Sequence, residues 1–139
     1  MKNTYGLLAL ATLVFSQLIY AATNQAETAA ETSAVAWLKL VDSADYAGSW
    51  DAAASTFKQS ISKPQWGSAA AGARAPLGKL LSRTLQTARY TKSLPGAPEG
   101  EYVVITFAAV FENKAAAVET ITPTRDADGA WRVSGYYIR

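Results

Sequence analysis

The stretch Asp126-Ala127-Asp128-Gly129 sets two carboxylates at alternate positions ahead of a glycine, which is how a calcium loop begins. Such a loop needs oxygen ligands to continue at alternate positions and to finish on a bidentate Glu at the twelfth. Here Ala130, Trp131 and Arg132 follow instead. Too few oxygens are available, so no metal site is expected. Asp128-Gly129 reads as a two-residue hairpin turn, because Gly takes a positive φ without steric cost. A second constellation is Asp51, beside Trp50, with Tyr102 or Tyr136. A carboxylate with a raised pKa in an apolar pocket next to a Tyr donor would equip a small isomerase or dehydratase. The third is Arg74 and Arg83, which flank the corner RAPLGKLLSR. An Arg drawn inward there must find a carboxylate, since a buried unpaired charge is prohibitive. Asp42, Asp45 and Asp51 are the nearest supply. The pair reads either as a clamp tying the first helices to the first strand or as an anion-binding site facing a pocket.

The chain contains neither His nor Cys. A Ser-His-Asp triad, a Cys-His pair and a His-based zinc site are therefore excluded. No disulfide can form, so packing alone must hold the fold together. No cofactor is implied.

These residues must be positioned by the elements around them. AETSAVAWLKLVDSADY places Ala34, Trp37, Leu38 and Val41 at helical spacing, which predicts about four turns of amphipathic helix. Asp45 is placed to cap a second helix through DYAGSWDAAASTFKQS. A third begins at Ser62, carries Pro64 in its first turn and stops at Pro76 and Gly78. The period then changes. KLLSRTLQTARYTKSL, EYVVITFAAVFEN, KAAAVETITPTRD and GAWRVSGYYIR read as four strands with short connections, which demand antiparallel neighbours. The expected fold is α+β: about three N-terminal helices on one face of a curved, cone-like, four-stranded antiparallel sheet. In the last strand Trp131, Val133, Gly135 and Tyr137 are expected to meet the helices. There Trp131 and Tyr137 could pack as core aromatics or line a pocket for a small apolar ligand. In the second strand Val103, Ile105, Phe107, Ala109 and Phe111 share one face, yet the other, Val104, Thr106, Ala108 and Val110, reads as apolar too. That second face needs a cover, for which a homodimer is the preferred form.

The N-terminus follows another logic. After Met1 and Lys2 comes the run GLLALATLVFSQLIYAA with small residues at its end, the layout of a secretory signal cleaved after Ala21 or Ala22. The strongly apolar part is shorter than a spanning helix requires, so no stable membrane span is expected after cleavage. Residues 1–22 are thus read as a signal peptide and 23–139 as one domain. The processed chain of about 117 residues is long enough for a self-sufficient core. A periplasmic or secreted location follows. The seven bases from Lys58 to Lys92 contain no acid among them, but they are spread over several elements and focus no field. Export also argues against a nucleic-acid partner.

The segments AWLKLVDSADYAGSWDAAA, SKPQWGSAAAGARAPLG, LPGAPEGEYVVITFAAVFENKAAAVETITP and GAWRVSGYYIR together resemble the family called domain of unknown function 4019. Its members are small bacterial proteins, often exported. The arrangement also resembles the scaffold of nuclear transport factor 2-like and cystatin-like proteins. The resemblance implies fold and export. It supplies no activity, so no residue role is carried over from it.

Overall fold

The computed structural model describes the backbone of residues 6–139 and the side chains from Val14 onward. The basic tip, Met1 and Lys2, lies outside the described residues.

The first helix, α1, runs from Gly6 to Asp42 and is far longer than the four turns expected. From Leu7 to Asp42 there is no Gly or Pro, and Leu, Ala, Gln and Glu favour continuation. The Thr23–Ala30 stretch is helical throughout. Its Thr23 and Thr28 hydroxyls donate back to the carbonyls of Ile19 and Asn24. Among the described side chains of α1, those of its C-terminal part join the core: Ala30, Ala34, Trp37, Leu38 and Val41. No described helix is long and apolar enough to cross a membrane.

A reversed turn ends α1. Ala44 adopts φ 60°, the Ala44 amide donates to the Val41 carbonyl, and the Asp45 amide reaches back to that of Leu40. This is the Schellman arrangement. Asp45 then serves the next helix, accepting from the Gly48 amide at 2.9 Å as the expected N-cap. The single second helix expected is in fact two: α2 (Tyr46–Asp51) and α3 (Ser55–Ser60). The break falls at Ala54, which is extended and donates its amide to the Val133 carbonyl at 2.8 Å. A bond to the sheet replaces a bond along the helix. The next helix, α4 (Lys63–Arg74), has the predicted start, with a capping box between Ser62 and Gln65 and Pro64 in its first turn. A 3₁₀ turn at Ala75–Leu77 leads out to Gly78, whose φ of 72° suits glycine.

Four antiparallel strands follow: β1 (Leu80–Thr91), β2 (Tyr102–Phe111), β3 (Lys114–Arg125) and β4 (Trp131–Ile138). They lie side by side in chain order, and the fold is α+β as expected. The alternation expected in β2 is present. Val103, Ile105, Phe107, Ala109 and Phe111 are buried, while Val104, Thr106 and Val110 are half-buried and Ala108 is exposed. The helices pack on the first set. Trp37, Leu38, Phe57, Trp66, Val103, Ile105, Phe107, Ile121 and Val133 make one core cluster.

The last strand departs from simple alternation. Between Thr122 and Pro123 the pairing slips, so that Thr122 faces Gly135 while Pro123 faces Val133. Ser134 is the extra residue of a β-bulge, which reverses the facing of everything beyond it. Trp131 and Val133 turn to the helices as expected. Past the bulge Tyr136 joins the core, and Tyr137 stands 62 % exposed on the opposite face. The hairpin before it is also longer than expected. The Asp126 amide donates to the Ala130 carbonyl, so the loop is the three residues Ala127–Gly129, with Gly129 at φ 83°. A three-residue loop with its last residue left-handed is the next commonest hairpin form.

Candidate functional site

Where α1 ends and β1 begins, four charged side chains and a Tyr converge. Asp42 is in the last turn of α1, Arg74 in the last turn of α4, Arg83 on β1, Glu119 on β3 and Tyr136 on β4. Pairing sets Arg83 opposite Ala109 and Glu119 opposite Phe107, so both point to the helix side. Arg83 grips both acids with its planar fork. Its Nε donates to Glu119 Oε1 at 2.7 Å, and its Nη1 and Nη2 donate to Asp42 at 2.8 and 2.9 Å. Arg74 Nη2 donates to Asp42 Oδ1 at 2.8 Å. The Tyr136 hydroxyl donates to Glu119 Oε2 at 2.5 Å. The Glu119 side chain is 0 % exposed and that of Arg74 6 %.

Two guanidinium charges meet two carboxylates here, so the cluster is electrically balanced. Burial favours neutral forms throughout, but the ionic hydrogen bonds outweigh it. At Asp42 burial pushes upward, yet the hydrogen bonds of Arg83 and then Arg74 hold the carboxyl below its ordinary value of 3.8. Arg83 and Arg74 are held above the ordinary guanidinium value by the same pairing, against their own burial. Burial, and then the Glu119 charge beside it, push the Tyr136 phenol far up. A phenol so held donates its hydrogen bond and keeps its proton. Arg74 also lies with its guanidinium 4.9 Å from the centre of the Phe111 ring. Among the described residues no acceptor reaches its Nε. With its charges spent on one another, the cluster works as a clamp joining α1, α4, β1, β3 and β4.

An aromatic block supports it. Trp37 and Trp66 lie 5.6 Å apart, and Tyr136 packs 5.5 Å from Trp37. The indole of Trp37 donates to the Ser49 carbonyl and that of Trp66 to the Ser49 hydroxyl, so one buried Ser satisfies both polar tips.

The remaining sequence-selected residues are dispersed. Asp51 is exposed on α2 and pairs with Lys63 at 2.6 Å. The Tyr102 hydroxyl donates to the Pro98 carbonyl at 2.6 Å. Asp51, Tyr102 and Tyr136 are thus on separate partners and do not form one pocket. Trp50 donates to the Ile61 carbonyl and has the Lys58 and Lys63 ammonium groups near its ring face. Asp126 and Asp128 are both taken by Arg132, at 3.0 and 2.8 Å. Among the described residues no group of acids, His or Cys is arranged to hold a metal. Arg74 and Arg83 do come together, with Asp42 as the acid they share. Sequence reasoning passed over Glu119 and Ser49. Glu119 was findable: it alternates with Ala117 and Ile121, which puts a carboxylate on the apolar side of β3.

Trp131 belongs elsewhere. At the end of the sheet where β1 and β3 finish and β2 and β4 begin, a cleft of about 560 Å³ separates the sheet from α1. Ile19, Ala22, Thr23, Gln25, Ala26 and Ala29 form its helical wall. Tyr90, Lys92, Glu101, Arg125 and Trp131 form the other. The Tyr90 hydroxyl donates to Glu101 at 3.0 Å, and Arg125 approaches the same carboxylate at 3.4 Å.

Residues 33–136 match a family described as protein of unknown function (DUF4019). The chain belongs to that family. The match spans the domain from the core-forming part of α1 to the Tyr136 that closes the clamp. No curated protein and no solved structure gives a significant match.

Proposed function

We propose that this family member is an exported, non-catalytic interaction module whose sheet associates with a second copy of the chain. The observation that carries the reading is the outer face of the sheet. Val104, Val110, Val118 and Tyr137 share it with Ala108 and a field of Thr at 84, 87, 106, 120 and 122. The helices occupy the other face, leaving the three Val half-buried and Ala108 and Tyr137 exposed here with Arg89 at the β1 edge, and an exposed apolar patch rimmed by polar residues marks an interaction surface. An isologous pair through the face would cover it with one self-complementary contact. The likeness to nuclear transport factor 2-like and cystatin-like scaffolds belongs to the same reading.

Export rests on the leader layout of residues 1–22 and on how little the leader contributes to the core. Val14, Phe15, Leu18, Ile19 and Tyr20 are 55–70 % exposed, whereas the buried stripe of α1 starts at Ala30. The acidic and tyrosyl groups that catalysis would need are bound elsewhere, which favours binding over chemistry.

Sedimentation of the processed protein at high concentration tests the assembly. Twice the chain mass is expected, with Tyr137→Lys returning it to the single-chain mass. A wild-type protein that stays monomeric would end the proposal.

A further inference from the structure

The cleft beside Trp131 combines features that neither the family match nor the clamp accounts for. Its size lies within the few-hundred to thousand Å³ range of small-molecule sites. Two aromatic side chains, Tyr90 and Trp131, line it together with a helical wall of three alanines, Ile19, Thr23 and Gln25. Its charges do not cancel. Lys92 and Arg125 are the cations of the lining and Glu101 is the carboxylate. Arg125 and the Tyr90 hydroxyl already engage Glu101. Among the described residues no carboxylate pairs with Lys92. Glu99 lines the adjoining groove with Lys92 and does not line the cleft. The Glu27 carboxylate of α1 is turned to the Tyr90 amide, so Lys92 brings to the cleft an ammonium group with no carboxylate at ion-pair distance among the described residues.

The helical wall adds a second. Ala22 and Thr23 both line the cleft, and the expected cleavage after Ala21 or Ala22 would leave one of them as the new N-terminus. Either way a free α-ammonium group is created at the rim, and Ile19 is removed from the wall. Processing would both widen the cleft and raise its positive charge.

We infer that this cleft binds a small organic carboxylate with an apolar body, and that removal of the leader completes the site. The apolar body packs between Trp131, Tyr90 and the Ala26 and Ala29 methyls. The carboxylate meets Lys92 and the new α-ammonium. The inference rests on reading the chain as an exported binding module, but not on its self-association. A fatty acid and a peptide C-terminus offer the same carboxylate chemistry.

Titration calorimetry on the exported, processed protein and on the full chain provides the test. The probes are decanoate and the tripeptide N-acetyl-Ala-Ala-Phe as free acids, with decanol and the tripeptide amide as neutral counterparts. For at least one acid, affinity for the processed protein should exceed that of its neutral counterpart by about threefold or more, the upper part of what a part-exposed ion pair supplies. The acid that shows the difference identifies the source. Lys92→Ala should reduce that margin, and being an exposed residue its loss leaves folding intact. Trp131→Ala should weaken acid and neutral forms together. Equal binding of acid and neutral forms, or a margin indifferent to Lys92→Ala, overturns the carboxylate assignment. Mass spectrometry of the exported protein reads the N-terminus separately. An intact Met1, or equal acid affinity for processed and full chains, overturns the role of leader removal and leaves the carboxylate preference standing on its own data.

Discussion

Glu119 is the residue on which the interior electrostatics turn. It is fully buried, and its partners are Arg83 and Tyr136, with Arg74 at 4.0 Å. Glu119→Ala would leave Arg83 half-paired in the interior, and a loss of about 3–5 kcal/mol is expected in urea denaturation. Tyr136→Phe removes one hydrogen bond to a charged group and should cost about 1.5–3 kcal/mol. Replacing both members, Arg83→Met with Glu119→Leu, should recover much of the single-mutant loss, because no unpaired charge remains buried. Asp42 gives the cluster a pH signature. Its folded pKa lies below the ordinary 3.8, so its contribution is complete above that value and disappears as pH falls through the lower folded one. Asp42→Asn should therefore be less stable than wild type at neutral pH, and the difference should shrink as pH drops below about 4. A difference independent of pH in that window would show that Asp42 is not held low.

At the scale of elements, the chain pauses at positions that one substitution can probe. Ala44 takes a left-handed conformation to end α1, a place where glycine is usual. Ala44→Gly should stabilise the protein by about 0.5–1 kcal/mol, the left-handed strain relieved less the entropy glycine adds to the unfolded chain. A destabilised variant would contradict the strain argument. Gly78 is the opposite case. It has φ 72°, and a Cβ there would come within 2.7 Å of the Glu112 carboxylate, so Gly78→Ala should destabilise. The element register also explains the misplaced Tyr137. A strict period of two puts Trp131 and Tyr137 on one side, and the bulge at Ser134 is invisible to periodicity because it depends on how β3 pairs with β4. The split between α2 and α3 has the same origin, since the Ala54 amide is taken by a carbonyl 79 positions later in the chain.

For the molecule as a whole, the core is expected to be separable in stability from the N-terminal segment proposed as a leader. Among the described side chains of α1 burial begins at Ala30, while those from Val14 to Tyr20 are exposed. Processed and full chains should thus unfold at nearly the same urea midpoint, each in one cooperative transition. A markedly lower midpoint for the processed chain would mean that residues 1–22 contribute to the fold.

Local chemistry was enough to determine much of this protein from its sequence. Asp45 and Ser62 cap helices because their side chains reach amides only three residues away. The apolar face of β2 follows from an alternation that needs no knowledge of its neighbours. The need of Arg74 and Arg83 for a carboxylate followed from the cost of burying charge. Tertiary structure alone decided which carboxylates answered. Asp42 and Glu119 lie 32 or more positions away from those arginines, on separate elements. Strand pairing and the packing of α1 set such distances, and residue spacing along the chain does not encode them.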